Sequence, residues 1–283
     1  MRHILNLFKL RIGVAIALAA AAGAAVQIGA SPGGASIALL VLAVLVASAA
    51  AGAFNQYVEV DLDRRMARTG KRPFVTGELK HGPAWLWLIG AMLLASVLAA
   101  SLATNLAAGI YVFLGAFTYG VVYTVWLKRR TWWNIVIGGL AGSFAVLAGA
   151  AAVSPSPGGS ALALAVVLFL WTPPHFWSLA IACRDDYAAA GVPMLPVVVG
   201  NARAARAILV SAALLVAASL VPFFFDRGIL YLAAAAFGGG FFLLRCRRLV
   251  RDPSRERARA AFRASLVQLC AVLFGAMLDV ALS

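Results

Sequence analysis

The chain has 283 residues, 63% of them hydrophobic and 12% charged, with a formal net charge of +14. Soluble domains are close to half apolar, so this composition excludes an ordinary water-soluble fold and predicts a membrane protein. The basic excess does not point to nucleic acid, because the bases lie in short stretches between long uncharged runs.

A bilayer core needs about 20 apolar residues per crossing helix. Nine runs meet that demand in chain order: 12–30, 36–57, 84–103, 107–125, 134–153, 160–182, 207–224, 228–244 and 262–281. Turn chemistry separates them, as in "SPGG" at 31–34 and "SPSPGG" at 154–159. The expected fold is all-α: a polytopic membrane helix bundle of about nine transmembrane helices, with 1–283 forming a single integral-membrane domain. The opening "MRHILNLFKLRIG" has no small-residue cleavage site, so the first helix is expected to be retained. With nine spans, 23 of the 24 Lys and Arg residues fall on one side, Arg227 being the exception. That side is read as cytoplasmic, together with the N-terminus. The two long loops on it, 58–83 and 183–206, are four helices apart. They suggest two parallel four-helix halves with a ninth helix added, although the halves share little sequence.

The second run ends in "NQYVEVDLDRRMARTGKRP", residues 55–73. Asn55, Glu59 and Asp63 are spaced i, i+4, i+8, which places them on one face of a helix, while Asp61 points elsewhere. Carboxylates at a membrane helix end are costly unless paired, hydrated or metal-bound. An amide with two carboxylates makes a hard oxygen site suited to Mg²⁺. Arg64, Arg65, Arg68, Lys71 and Arg72 follow. Acids holding Mg²⁺ with arginines beside them would grip a diphosphate. The plain alternative is a cytoplasmic loop with local ion pairs.

Further along come His81 after "GELK", and Lys128 and Arg129 in "YTVWLKRRTWW". Asn134 follows and would either order that loop or cap a helix. The sixth run leads into "WTPPHFWSLAIACRDDYAAAGVPMLPVVVG", residues 171–200. Pro173 and Pro174 are expected to disturb the helical ladder. His175 beside them is either a packed hydrogen-bonding residue or a group that ligates iron or handles a proton. Asp185 and Asp186 end this run much as Asp63 ends the second, and could hold a second Mg²⁺. Cys183, Cys246 and Cys270 match no metal motif and are expected to be free thiols.

The stretch 55–73 resembles the first signature of the UbiA superfamily of intramembrane prenyltransferases: an Asn, an acid four residues on, an Asp four further, then Arg-Thr-x-x-Arg. Asn55, Glu59, Asp63, Met66, Arg68, Thr69 and Arg72 all fall on it. The segments 123–139, 171–181 and 185–198 resemble the branch that farnesylates protohaem IX, and the likeness covers about residues 10–280. Two positions depart from the pattern. Glu59 stands where the branch usually has Asp, and Asp185 is followed four residues on by Ala189 where the superfamily often has a second acid.

The resemblance implies a nine-helix bundle with a central cavity open to the cytoplasmic side of a bacterial inner membrane. It implies farnesyl diphosphate and haem B as substrates, Mg²⁺ as cofactor and haem O as product. Haem A synthase or terminal oxidase assembly factors would be partners. The metal would rest on Asn55, Glu59, Asp63, Asp185 and Asp186, which with Arg68 and Arg72 form the expected catalytic set. Arg68, Arg72, Lys128 and Arg129 would bind diphosphate. His175, then His81, would meet the haem, and Tyr57, Tyr123, Tyr187 or His175 would position a water. Competing readings are a prenyltransferase acting on a quinone or chlorophyll precursor, a transporter, and a haem-delivery protein.

Overall fold

A backbone can cross a bilayer only if its polar groups are paired within the chain. The computed structural model describes residues 6–283, and helices are the only regular elements among them. Arg2, counted above with the N-terminal bases, lies outside the described residues.

The first apolar helix, α1 (Leu10–Ala25), has 16 residues. Eight further helices are long and apolar enough to cross a membrane: α2 (Gly34–Val58), α3 (Ala84–Ala103), α4 (Leu106–Leu127), α5 (Asn134–Val153), α6 (Gly159–Ala182), α7 (Asn201–Phe224), α8 (Ile229–Arg251) and α9 (Arg255–Leu282). The chain is a multi-pass membrane protein. Four short helices, Val60–Arg64, Pro73–Thr76, Arg184–Ala189 and Leu195–Val199, lie in the two long loops.

Several boundaries differ from the hydropathy reading. The first helix ends at Ala25 because Gln27 turns to the connection before α6, accepting the Gly158 N–H at 2.9 Å. Helices α7, α8 and α9 run on past their apolar cores into arginine-rich turns. Arginine is a good helix former, and its long stem lets the charge reach water from such a turn, so hydropathy alone misses these ends. Ser254 caps the early start of α9 by accepting the Arg257 N–H at 3.4 Å.

The helices pack in sequence order around a ring, each against the next, and α9 returns to α1. Contacts of α1 with α5, and of α6 with α9, draw the ring together. The α1–α5 crossing depends on two glycines. A Cβ on Gly23 would collide with the Val146 carbonyl, and one on Gly149 with the Ala20 carbonyl. Close backbone approach of this kind is how membrane helices associate without a hydrophobic drive.

Helix α6 stays helical through Pro173 and Pro174 despite the two missing N–H donors. The carbonyl that Pro173 leaves without its usual ladder donor is that of Phe169. It faces Gly139, at the break between the two parts of α5, where a Cβ would lie 3.2 Å from the Phe169 oxygen. Cys183, Cys246 and Cys270 are free thiols.

Candidate active site

Helix α2 ends at Glu59, whose φ of −96° and ψ of 14° close the helix, and a short turn, Val60–Arg64, carries the chain on. Asn55, Glu59 and Asp63 therefore share a helix end plus a turn, in place of one straight helix. They still stack, with Glu59 N–H on the Asn55 carbonyl at 3.1 Å and Asp63 N–H on the Glu59 carbonyl at 2.8 Å. All three side chains are buried, at 2%, 1% and 2% exposure.

Buried carboxylates need partners, and two cations supply them, while a third reaches Asn55. Lys128 Nζ donates to Glu59 Oε1 at 2.5 Å. Arg72 Nη1 donates to Asp63 Oδ2 at 2.6 Å and lies 3.9 Å from Glu59 Oε2. Lys9 Nζ donates to Asn55 Oδ1, and to the Tyr119 hydroxyl at 3.0 Å. Burial pushes the Asp63 carboxyl above its ordinary value, against the pull of Arg72. Burial lowers Lys128 while Glu59 holds it up, and burial takes Lys9 well below the usual lysine range.

The C-terminal half of α4 delivers two of these contacts. Thr118–Leu127 is a π-helix, so its bonds span five residues, as in Lys128 N–H to the Tyr123 carbonyl at 2.9 Å. That winding brings Lys128 to Glu59, Thr124 to Asn55 and Tyr119 to Lys9. Thr124 Oγ1 accepts from Asn55 Nδ2 at 3.1 Å.

The second acid group meets the first loop differently. Asp186 accepts backbone N–H groups of Ala67 and Arg68, each at 3.3 Å, and so ties the two long loops together. Asp185 is exposed. Among the described residues no group of three or more His, Cys, Asp or Glu side chains is placed to hold a metal. The set that suits a hard cation is Asn55, Glu59 and Asp63, because Glu59 Oε2 is buried without a hydrogen-bond donor. That orphaned oxygen is the chemistry a divalent ion would satisfy.

Arg129 turns away from this cluster. Its Nη1 and Nη2 grip exposed Asp61 at 2.8 and 2.7 Å, and this bond is the main reason the Asp61 carboxyl lies below its ordinary value. The Arg68 side chain is exposed. Asn134 is fully buried, and its Nδ2 donates to the Thr131 carbonyl at 2.6 Å, so it orders the loop and caps no helix.

His175 is 5% exposed. Its ring lies between Trp171 and Phe262, with centroids at 4.0 and 4.4 Å, and Nδ1 is 2.6 Å from Ser265 Oγ. His81 is exposed, stacked on Tyr57 at 3.9 Å, with Nε2 donating to the Tyr57 carbonyl at 2.9 Å. That nitrogen is committed. Tyr187 is buried, and burial raises its phenol.

Lys9, Tyr119 and Thr124 are absent from the sequence-based site. Lys9 looks like one more orientation charge, yet it is the one described non-glycine residue with positive φ, 48°, and that kink directs its side chain inward.

A sequence model of the UbiA prenyltransferase family matches residues 15–269. The chain is 55% identical over 279 residues to protoheme IX farnesyltransferase 2 of Paramagnetospirillum magneticum, covering 99% of this chain and 97% of that one. It is 48% identical over 234 residues to protoheme IX farnesyltransferase 1 of the same organism, covering 82% of each. A UbiA homolog from Archaeoglobus fulgidus, bound to DMAPP and Mg²⁺, matches in structure with a TM-score of 0.73 at 18% identity, covering 97% of this chain and 98% of that one. A structure concerning digeranylgeranylglyceryl phosphate synthase matches with a TM-score of 0.80, also at 18% identity, covering 100% and 99%. At such identities the structural likeness establishes the shared fold.

Proposed function

The chain belongs to the UbiA prenyltransferase family, and we propose that within it the protein is a protohaem IX farnesyltransferase. It transfers the farnesyl group of farnesyl diphosphate to a vinyl group of haem B with addition of water, giving haem O and diphosphate. The observation that carries this reading is the 55% identity to a protoheme IX farnesyltransferase over almost the full length of both chains. The buried Asn55–Glu59–Asp63 cluster with its three cations supports the chemistry.

Asn55, Glu59 and Asp63 would hold Mg²⁺, with Asp185 and Asp186 as a second, outer pair. The bound ion supplies Lewis-acid neutralisation of diphosphate charge. Arg72 and Lys128, held beside the acids, offer fixed positive charge where the leaving group gains negative charge. Arg68 and Arg129 stand farther out, on exposed positions where an incoming anion is met first.

The C1–O bond of the farnesyl group breaks with its electron pair going to diphosphate, leaving an allylic cation. The vinyl terminal carbon attacks C1, and the cation passes to the carbon next to the porphyrin ring. Water adds there and loses a proton, which gives the hydroxyethylfarnesyl group. The apolar bundle keeps bulk water from the first cation. Tyr57, Tyr123, Tyr187 and His175 are the candidates to place the one water that reacts.

His175 is the preferred contact for haem iron. Its stacking between two aromatic rings and its Ser265 bond hold the imidazole in one orientation. His81 is second, because its Nε2 is already bonded. The site opens to the cytoplasmic side of a bacterial inner membrane, 1–283 act as one domain, and product passes to haem A synthase or oxidase assembly factors.

An acceptor competition tests this reading. Purified protein with Mg²⁺ and farnesyl diphosphate is offered haem B and an aromatic quinone precursor together. Farnesylation of haem alone supports it. Transfer only to the aromatic precursor refutes the haem assignment and leaves the family in place.

A further inference from the structure

Asn55 sits in a chain of polar contacts that fixes which way its amide faces. Thr124 Oγ1 donates to the Tyr119 carbonyl at 2.8 Å. A hydroxyl has one proton, so toward any other group this oxygen can only accept. Asn55 Nδ2 fills that place, donating at 3.1 Å. At the other end Lys9 Nζ, a donor, lies on Asn55 Oδ1. Both ends demand the same rotation, with the amide nitrogen toward α4 and the oxygen toward a cation.

The π-helix makes this possible. A threonine in an α-helix reaches a carbonyl three or four residues back. Thr124 reaches Tyr119, five back, and still presents its oxygen to α2. Thr124 and Asn55 are 1% and 2% exposed, so protein groups decide the rotation.

We propose that Thr124 is a positioning residue that locks the Asn55 amide with Oδ1 presented to the bound metal. The inference rests on the reading of Asn55 as a metal ligand. Without the Thr124 acceptor the amide nitrogen loses its buried partner and the rotation rests on Lys9 alone, so an amide that turns would aim its NH₂, a donor, at the metal and withdraw its ligand oxygen. Asp at position 55 would offer an oxygen in either rotation, so it would make the lock dispensable.

The test is Mn²⁺ binding to the full-length protein without substrate, followed by electron paramagnetic resonance, with thermal unfolding as the control for folding. Thr124→Val keeps the shape and removes the hydroxyl. Its Mn²⁺ affinity is expected to fall about 10-fold or more, the range typical of lost outer-shell partners. Thr124→Ser is expected to bind like the parent, and Thr124→Val in an Asn55→Asp chain to lose far less than in the Asn55 chain. Should the valine variant unfold, Thr124→Ala is read in the same titration. If Asn55→Ala binds weakly while Thr124→Val binds like the parent, the positioning role is overturned and Asn55 remains a ligand. If Asn55→Ala itself binds like the parent, the ligand reading falls and the inference falls with it.

Discussion

Lys128 Nζ lies 2.5 Å from Glu59 Oε1, while Glu59 Oε2 stays buried with no hydrogen-bond donor. One carboxylate thus has one oxygen bonded to an internal cation and the other without a donor. Glu59→Gln removes the charge that balances buried Lys128. Removing one partner of a buried pair costs about 3–5 kcal/mol. The variant should melt earlier and lose farnesyl transfer, read by thermal unfolding and product assay. Glu59→Asp keeps the charge, so transfer should persist with a raised Mg²⁺ requirement.

Lys9→Met tests the cation that a left-handed kink brings inward. It deletes the donor to Asn55 and to Tyr119. Charged hydrogen bonds are worth about 1.5–3 kcal/mol, so transfer should fall roughly 10- to 100-fold. Arg11→Met, at an exposed position of α1, serves as the comparison and should leave the rate nearly unchanged. Steady-state rates of both variants decide this.

Most of the fold was legible in the sequence, because uncharged runs of bilayer length have one physical solution. The polar helix ends were not, since Arg255–Arg263 reads as loop by hydropathy and is helix by propensity. In the site, the i, i+4, i+8 spacing marked Asn55, Glu59 and Asp63, and the stacking survives the break at Glu59. Arg129 was placed with the diphosphate through the family resemblance, and its pairing with exposed Asp61 had no signal in the sequence. Thr124 and Tyr119 lay hidden because π winding leaves no periodic trace in composition. Lys9 lay hidden because one backbone angle, not a pattern, turns it inward.

Gly149→Ala probes the scaffold. Its methyl would meet the Ala20 carbonyl of α1. Overpacking of this kind costs about 1–3 kcal/mol. The melting temperature should drop. Gly90→Ala, where a Cβ meets nothing within 4 Å, should not lower it.

His175→Ala should weaken haem binding while leaving Mn²⁺ affinity unchanged, because its contacts are Trp171, Phe176, Phe262 and Ser265, none of them a carboxylate. Titration of haem B, followed at the Soret band, separates the two properties. An unaltered haem spectrum would move the iron contact elsewhere.

The most direct measurement is identification of the product. Membranes containing the protein receive haem B, farnesyl diphosphate and Mg²⁺, and the haems are separated and weighed by mass spectrometry, with Asp63→Asn in parallel. Formation of haem O by the parent, and its loss in the folded variant, is the predicted result. Haem B left untouched by folded parent protein with Mg²⁺ and farnesyl diphosphate present would contradict the account.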